Sequence, residues 1–213
     1  MLKKNKWKLL LSSLVILLPT VVGLFLRDSL PDQMAIHWNL NGEPDYFGSA
    51  LFPMVIMPLV LLALHWVCMM VTARDPKNQD QTKKAINLIF WLCPMVSLLV
   101  GSAIYSAAFG KEFQLSMLVP IVMGLMFIVI GNYMPKCKQN HTLGIRIKWT
   151  LQNEENWNAT HRFAGKLWVA GGFLLLLCSF LPTAAFPFVV LIAPAAMVVP
   201  PVVYSYRYHR KQK

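Results

Sequence analysis

The sequence predicts an all-α membrane protein. It has six transmembrane helices, both termini in the cytoplasm, a small extracellular hairpin between helices 1 and 2 and a short amphipathic cytoplasmic helix before helix 5. Composition is the first observation: 56% of the 213 residues are hydrophobic and only 14% are charged, too little polar surface to cover a soluble globule. The second is that apolar residues fall in runs long enough, at about 1.5 Å per helical residue, to cross a bilayer's hydrocarbon core. The third is the placement of Lys and Arg, which accumulate on the cytoplasmic side of membrane proteins. With the N-terminus inside, 18 of the 20 fall in the cytoplasm and only Arg27 and Lys111 outside. The net charge of +11 is thereby explained by orientation, without direct nucleic-acid binding.

Each element follows from local sequence. Lys3, Lys4, Lys6 and Lys8 precede the uncharged run Leu9–Leu26, helix 1; a cleaved signal peptide is the rival, and the length of the run favours an uncleaved anchor. Residues 27–50 form the first loop. There Ala35-Ile36-His37-Trp38 extends, Asn41-Gly42 suits a tight turn and Pro44 keeps the returning strand at an edge. Its Asp28, Asp32, Glu43 and Asp45 against Arg27 make an acidic outer face. Helix 2, Leu51–Thr72, carries the ionisable His65, and the polar connector Ala73–Lys84 returns the chain to the cytoplasm. Helix 3, Ala85–Phe109, has Ser97 with Gly101, Ser102 with Ser106 and Ala103 with Ala107 at four-residue spacing, the pattern of a helix packed inside a bundle. A turn over residues 110–114 leads to helix 4, Leu115–Met134, with Asn132 near a membrane face. Helix 5 covers Lys166–Leu181 and helix 6 Phe186–Tyr206. We divide the chain into an N-terminal two-helix region, residues 1–84, and a four-helix region, residues 85–213.

The polar loop of residues 135–165 crowds Asn, His, Arg, Glu and Trp between two apolar segments. Asn153 followed by Glu154-Glu155 reads as a capped helix start. From there Trp157, His161, Ala164 and Trp168 recur at spacings of four, three and four, so they share one helical face. Trp149, Trp157 and Trp168 suit a membrane interface, while Arg146, Lys148 and Arg162 suit recognition of a protein, a headgroup or a peptide. A metal site from His141, His161, Glu154 and Glu155 is weighed against their spacing, which sets no two ligands one helical turn apart, and no metal or cofactor is expected. The four cysteines lack paired short spacing and read as packing residues. No phosphate-binding loop, nucleophile elbow or intramembrane carboxylate pair appears, so an enzyme or a pump is not expected.

The series Gly131-Asn132-Tyr133, Gln139-Asn140-His141, Leu143-Gly144-Ile145-Arg146, Trp149-Thr150-Leu151, Glu154-Glu155, Trp157, Thr160-His161-Arg162 and Gly165-Lys166 resembles the signature of the SdpI family of bacterial membrane proteins. In the first loop, Leu30-Pro31-Asp32-Gln33, Ile36-His37-Trp38-Asn39 and Asn41-Gly42-Glu43-Pro44-Asp45 are similar to the domain of unknown function that usually precedes it. Together the two cover the first loop with its flanking helices and about residues 115–205. One departure is that Ile147-Lys148 stands where the family pattern commonly has Thr-Pro.

The resemblance implies a plasma-membrane protein giving immunity to a secreted toxin peptide of the cannibalism type, and a receptor role in which a cytoplasmic repressor is drawn to the membrane. On that reading the toxin-contact candidates are His37, Trp38, Asn39, Gly42 and Asp45. The signalling or bundle-locking candidates are Asn132, Asn140, Gly144, Arg146, Trp149, Thr150, Trp157, His161 and Arg162. The reading from another class is a small-molecule or ion transporter that uses His65 and flexes at Pro94, Pro120 and Pro194.

Overall fold

The computed structural model describes residues 1–39, 41–111 and 114–212, without the side chains of residues 79, 80, 83 and 84. Glu112 and Phe113 of the turn expected after helix 3, the Lys83 and Lys84 side chains of the connector and Lys213 of the tail therefore lie outside the described residues. The chain is mostly helical and divides into two compact units, Met1–Ala73 with Asn87–Leu115 and Arg74–Ile86 with Ser116–Lys213. Among the described residues, five stretches are helical, long and apolar enough to cross a membrane: Lys3–Phe25, Phe52–Arg74, Ala85–Ala108, Leu115–Lys136 and Thr183–Lys211.

In the first unit the opening apolar run forms two helices, α1 (Lys6–Ile16) and α2 (Leu18–Phe25). Pro19, with no N–H to donate and a ring that crowds the preceding turn, breaks the helix there. Carbonyls around such a break need donors inside a bilayer. Ser97 Oγ donates to Ile16 O at 2.7 Å and Tyr105 Oη to Pro19 O at 2.6 Å, both from the expected third helix. Gly101 of the same helix lies so close that a Cβ would sit 2.8 Å from the Pro19 ring. The small residues expected to allow close packing thus serve it at Ser97 and Gly101, while Ser102 is exposed and turns back to its own backbone at Leu99.

The hairpin expected in the first loop is present as β1 (Gln33–Trp38) and β2 (Pro44–Ser49), antiparallel. Asn39 builds the turn: its Oδ1 accepts from the N–H of Asn41 at 2.9 Å and of Glu43 at 3.0 Å, and Gly42 takes φ +82°. The pairing register shifts around His37, and His37 Nδ1 lies 2.6 Å from Asp45 Oδ1 on the exposed surface. The inner face of the hairpin buries Leu30, Met34 and Ala50 against Met54 and Ile104, with Trp38 packed on that cluster. Each large side chain so buried contributes about 1.5–3 kcal/mol, which fixes the hairpin to the unit's helices. Trp38 is therefore half-buried packing, whereas His37 and Asp45 face outward.

A short π-helical turn, Phe52–Ile56, precedes α3 (Met57–Arg74). His65 of α3 is fully buried, with Nε2 2.9 Å from Ser12 Oγ. Ser12 gives its own hydrogen to Leu9 O, so its oxygen accepts from the imidazole. The helix α4 (Lys83–Ala108) completes the unit from Asn87 onward.

The second unit contains α5 (Leu115–Tyr133), the short α6 (Lys148–Gln152), α7 (Glu154–Cys178) and α8 (Phe186–Lys211). The amphipathic helix and the expected fifth span are one continuous element, α7. Its apolar half meets α5 with backbones almost in contact. A Cβ on Gly172 would lie 2.6 Å from Gly124 O, and one on Gly165 would lie 2.7 Å from Gly131 O. Against α8, Trp168 Nε1 donates to Met197 O at 2.9 Å. That carbonyl has no helical partner because the residue four positions on is Pro201.

Candidate functional site

The polar half of α7 begins at Asn153, whose Oδ1 accepts from the Asn156 N–H at 2.8 Å and so caps the helix as expected. One turn in, the face Trp157, His161, Ala164 is buried to 1% exposure or less, with Trp168 half-buried beyond it. The Trp157 indole donates to Cys137 O at 2.7 Å and stacks on the His161 ring, centroids 4.0 Å apart. His161 has both nitrogens committed. The Ile145 N–H donates to Nε2 at 3.0 Å, so Nε2 carries no proton, and Nδ1–H donates to Trp157 O at 2.8 Å. The imidazole is a neutral clamp between α7 and the preceding turn, with no free lone pair for a metal.

That turn is built by Asn140, which is fully buried. Its Oδ1 accepts from the N–H of Thr142 at 2.8 Å and of Leu143 at 2.6 Å, while Nδ2 donates to Lys138 O at 2.8 Å and Leu143 O at 3.2 Å. Gly144 follows at φ +93°, and a side chain there would run into His161 Nε2. Arg146 Nη1 donates to His141 O at 2.8 Å across the turn. Thr150 closes it: its buried Oγ1 donates to Ile145 O at 2.7 Å and accepts from the Ile147 N–H at 3.1 Å. Ile147 is the N-cap of α6 and Lys148 its first residue, positions suited to a capping Thr and a Pro. Here Ile147 has no capping oxygen, and Thr150 takes over its N–H.

Two further groups of residues complete the site and were not singled out in the sequence. From the connector, Asp75 Oδ2 accepts from the His141 N–H at 2.8 Å, Asn78 Nδ2 donates to Thr142 Oγ1 at 2.5 Å, and Gln81 exchanges two bonds with the Lys138 backbone. From α7 and α8, Asn156 Oδ1 accepts from Thr160 Oγ1 at 2.9 Å and Ser205 Oγ at 2.8 Å, and its Nδ2 donates to Ser205 O at 3.0 Å. The signals were present: Asp75-Pro76 marks a side-chain-capped turn, and Asn156 and Thr160 stand one helical turn apart. Of the signalling or bundle-locking candidates, Asn140, Gly144, Thr150, Trp157 and His161 converge, with Arg146 on the rim. Trp149 packs instead on Tyr206 of α8, ring centroids 5.0 Å apart. Asn132 and Arg162 are exposed and lie outside this network.

The site's titration follows from its burial. Desolvation lowers the His161 pKa from 6.5 to about 4, with the Trp157 carbonyl pulling weakly upward. Burial alone would raise the Asp75 carboxyl, but the N–H groups of His141 and Lys77, the His141 charge and the Thr142 hydroxyl outweigh it and leave the pKa lowered. Burial pushes the Cys137 thiol up to about 11, against a smaller opposite effect of Asn140, so it is not a nucleophile.

Between pH 6.5 and about 4 the unfolded chain protonates this imidazole and the folded chain does not. His161 therefore favours folding fully above pH 6.5, a contribution that falls as pH drops by up to about 3 kcal/mol. Asp75 acts lower, since a depressed carboxyl loses its contribution only as pH falls below the ordinary carboxylate value. Denaturant melts in detergent are expected to weaken steadily from pH 7 to 4.5, and His161→Asn to flatten that slope. A wild-type slope that survives His161→Asn assigns the titration elsewhere.

Comparison with known proteins finds both resemblances, the later one from residue 136 rather than from about 115, so that Gly131-Asn132-Tyr133 lie outside the match. A model of the SdpI/YfhL protein family matches residues 136–205, and a model of a domain of unknown function, DUF1648, matches residues 14–62. The chain is 26% identical to a protein named Immunity protein SdpI from Bacillus subtilis (strain 168), over 99% of this chain and 98% of that one. No solved structure matches. The clamp of Asn140, Gly144, Thr150, Trp157 and His161 thus lies inside the stretch that the SdpI/YfhL family model matches, and the chain is a multi-pass membrane protein similar along nearly its whole length to an SdpI immunity protein.

Proposed function

We propose that the protein confers resistance to a secreted antimicrobial or cannibalism-type toxin peptide from within a bacterial plasma membrane. The observation that carries this reading is the end-to-end likeness to an immunity protein, which includes the hairpin region as well as the polar turn. Six crossings with both termini in the cytoplasm follow from the distribution of Lys and Arg, with the apolar half of α7 as the fifth. In that topology the hairpin meets the toxin. Its exposed acids, with His37 and Asp45 side by side, favour a cationic peptide. The clamp around His161 faces the cytoplasm, where it holds α7 in place, and the exposed Arg146 and Arg162 are the residues available to a repressor.

Expression in a toxin-sensitive host should raise survival, and Asp45→Asn with Glu43→Gln should lower it without changing the amount of protein in the membrane. Arg146→Ala should leave survival intact and weaken recruitment of a repressor. Unchanged killing across a panel of secreted peptide toxins would overturn the immunity reading.

A further inference from the structure

We infer that the corner where α6 meets the last turns of α8 is a seat for the phosphate of an anionic membrane phospholipid. The corner lies at the end of a helix long and apolar enough to cross a bilayer, Thr183–Lys211, which sets it at headgroup depth. Its floor is aromatic: Trp149 lies 5.0 Å from Tyr206 and 6.3 Å from the His209 imidazole, centroid to centroid. Trp and Tyr favour this depth, where the ring is apolar on one side and wet on the other. Arg210 Nη1 donates to Tyr206 Oη at 3.4 Å, which holds the guanidinium beside the platform with its remaining N–H groups free.

Charge decides the ligand. Lys148, Arg207, Arg210 and Lys211 are all exposed here, and among the described residues none of them makes an ion pair. The nearby acids do not neutralise them. Glu154 and Glu155 head α7, where the helix dipole already favours them, and Glu155 Oε2 accepts from the neutral Gln212 amide at 3.1 Å. Asp75, buried in the same unit, is turned inward onto the His141 and Lys77 backbone. Cations without an ion pair beside an amphipathic aromatic floor, at the level of the headgroups, fit a phosphodiester better than an acidic protein segment, which the bilayer would crowd out. The inference needs no particular leaflet and does not rest on the immunity reading.

The test is lipid retention by the full chain in detergent, read by native mass spectrometry, with phosphatidylglycerol against phosphatidylcholine. Wild type should retain phosphatidylglycerol at least tenfold over phosphatidylcholine. Lys148→Gln with Arg210→Gln should reduce that retention roughly twentyfold, about fivefold for each charge removed near the headgroups. Lys111→Gln, in the other unit, should change nothing. Melting of the double variant in phosphatidylcholine should match wild type, showing that the fold is intact. Equal retention of the two lipids, or a preference that survives the double substitution, overturns the inference. So does competition by inorganic phosphate as effective as by lipid, which would make the ligand a free anion. Tighter binding of a soluble acidic peptide than of phosphatidylglycerol vesicles would mark a protein-docking surface and overturn it as well.

Discussion

Gly144→Ala is expected to destabilise the second unit by about 3 kcal/mol. At φ +93° an alanine is strained by roughly 1–2 kcal/mol. Its methyl group would also occupy the space of His161 Nε2, the acceptor of the Ile145 N–H. Displacing the imidazole leaves a buried donor and a buried acceptor unpaired, about 1–3 kcal/mol more. The two effects separate experimentally. Removing the imidazole first, as His161→Ala, relieves the collision but not the backbone strain, so Gly144→Ala in that background should cost only the smaller part. Denaturant unfolding in detergent, followed by tryptophan fluorescence, to which the fully buried Trp157 contributes, measures both. A cost equal in the two backgrounds would mean that Gly144 and His161 are not coupled.

This pair shows which parts of the site can be read from sequence. Periodicity alone placed Trp157, His161 and Ala164 on one face, because a helix repeats every 3.6 residues whatever packs against it. The resemblance added Asn140, Gly144 and Thr150, whose roles depend on turn geometry that no periodicity carries. Asp75, Asn78 and Gln81 stayed hidden for a physical reason. They meet the turn more than fifty residues later in the chain, and a solvated connector has the same composition as one folded against a partner. Asn156 with Ser205 is the same case between two helices. Trp38, a toxin-contact candidate from the resemblance, is half-buried, and its ring packs on the hairpin's core in a way the sequence does not signal. The second half of α7 was legible as apolar, yet its continuity with the polar half follows from the absence of any proline between Glu154 and Cys178, with the Gly171-Gly172 pair kept inside the helix.

Gly172→Val is expected to cost more than about 3 kcal/mol, because it acts on backbone rather than on a side chain that can move aside. A Cβ at residue 172 would lie 2.6 Å from Gly124 O and 2.9 Å from the Ile128 N, so α5 and α7 must separate to admit it. Gly165 and Gly131 repeat the arrangement seven residues away on each helix, in the antiparallel sense, so the two helices touch along a seam rather than at one crossing. Inside a bilayer such contact is held by close packing, with little hydrophobic gain to replace it once lost. Gly165→Val should therefore be as costly as Gly172→Val but differ in reach. Residue 165 stands one turn beyond His161 and also presses on the Pro135 ring, at the end of α5 that leads into the polar turn. Prying the seam open there should loosen the Trp157–His161 stack and shift the Trp157 emission to the red in the folded state, whereas Gly172→Val should lower the melting temperature without that shift. Wild-type melting of either variant would show that the helices are not in backbone contact. Identical emission from both would show that α7 does not transmit displacement from its apolar half to the clamp.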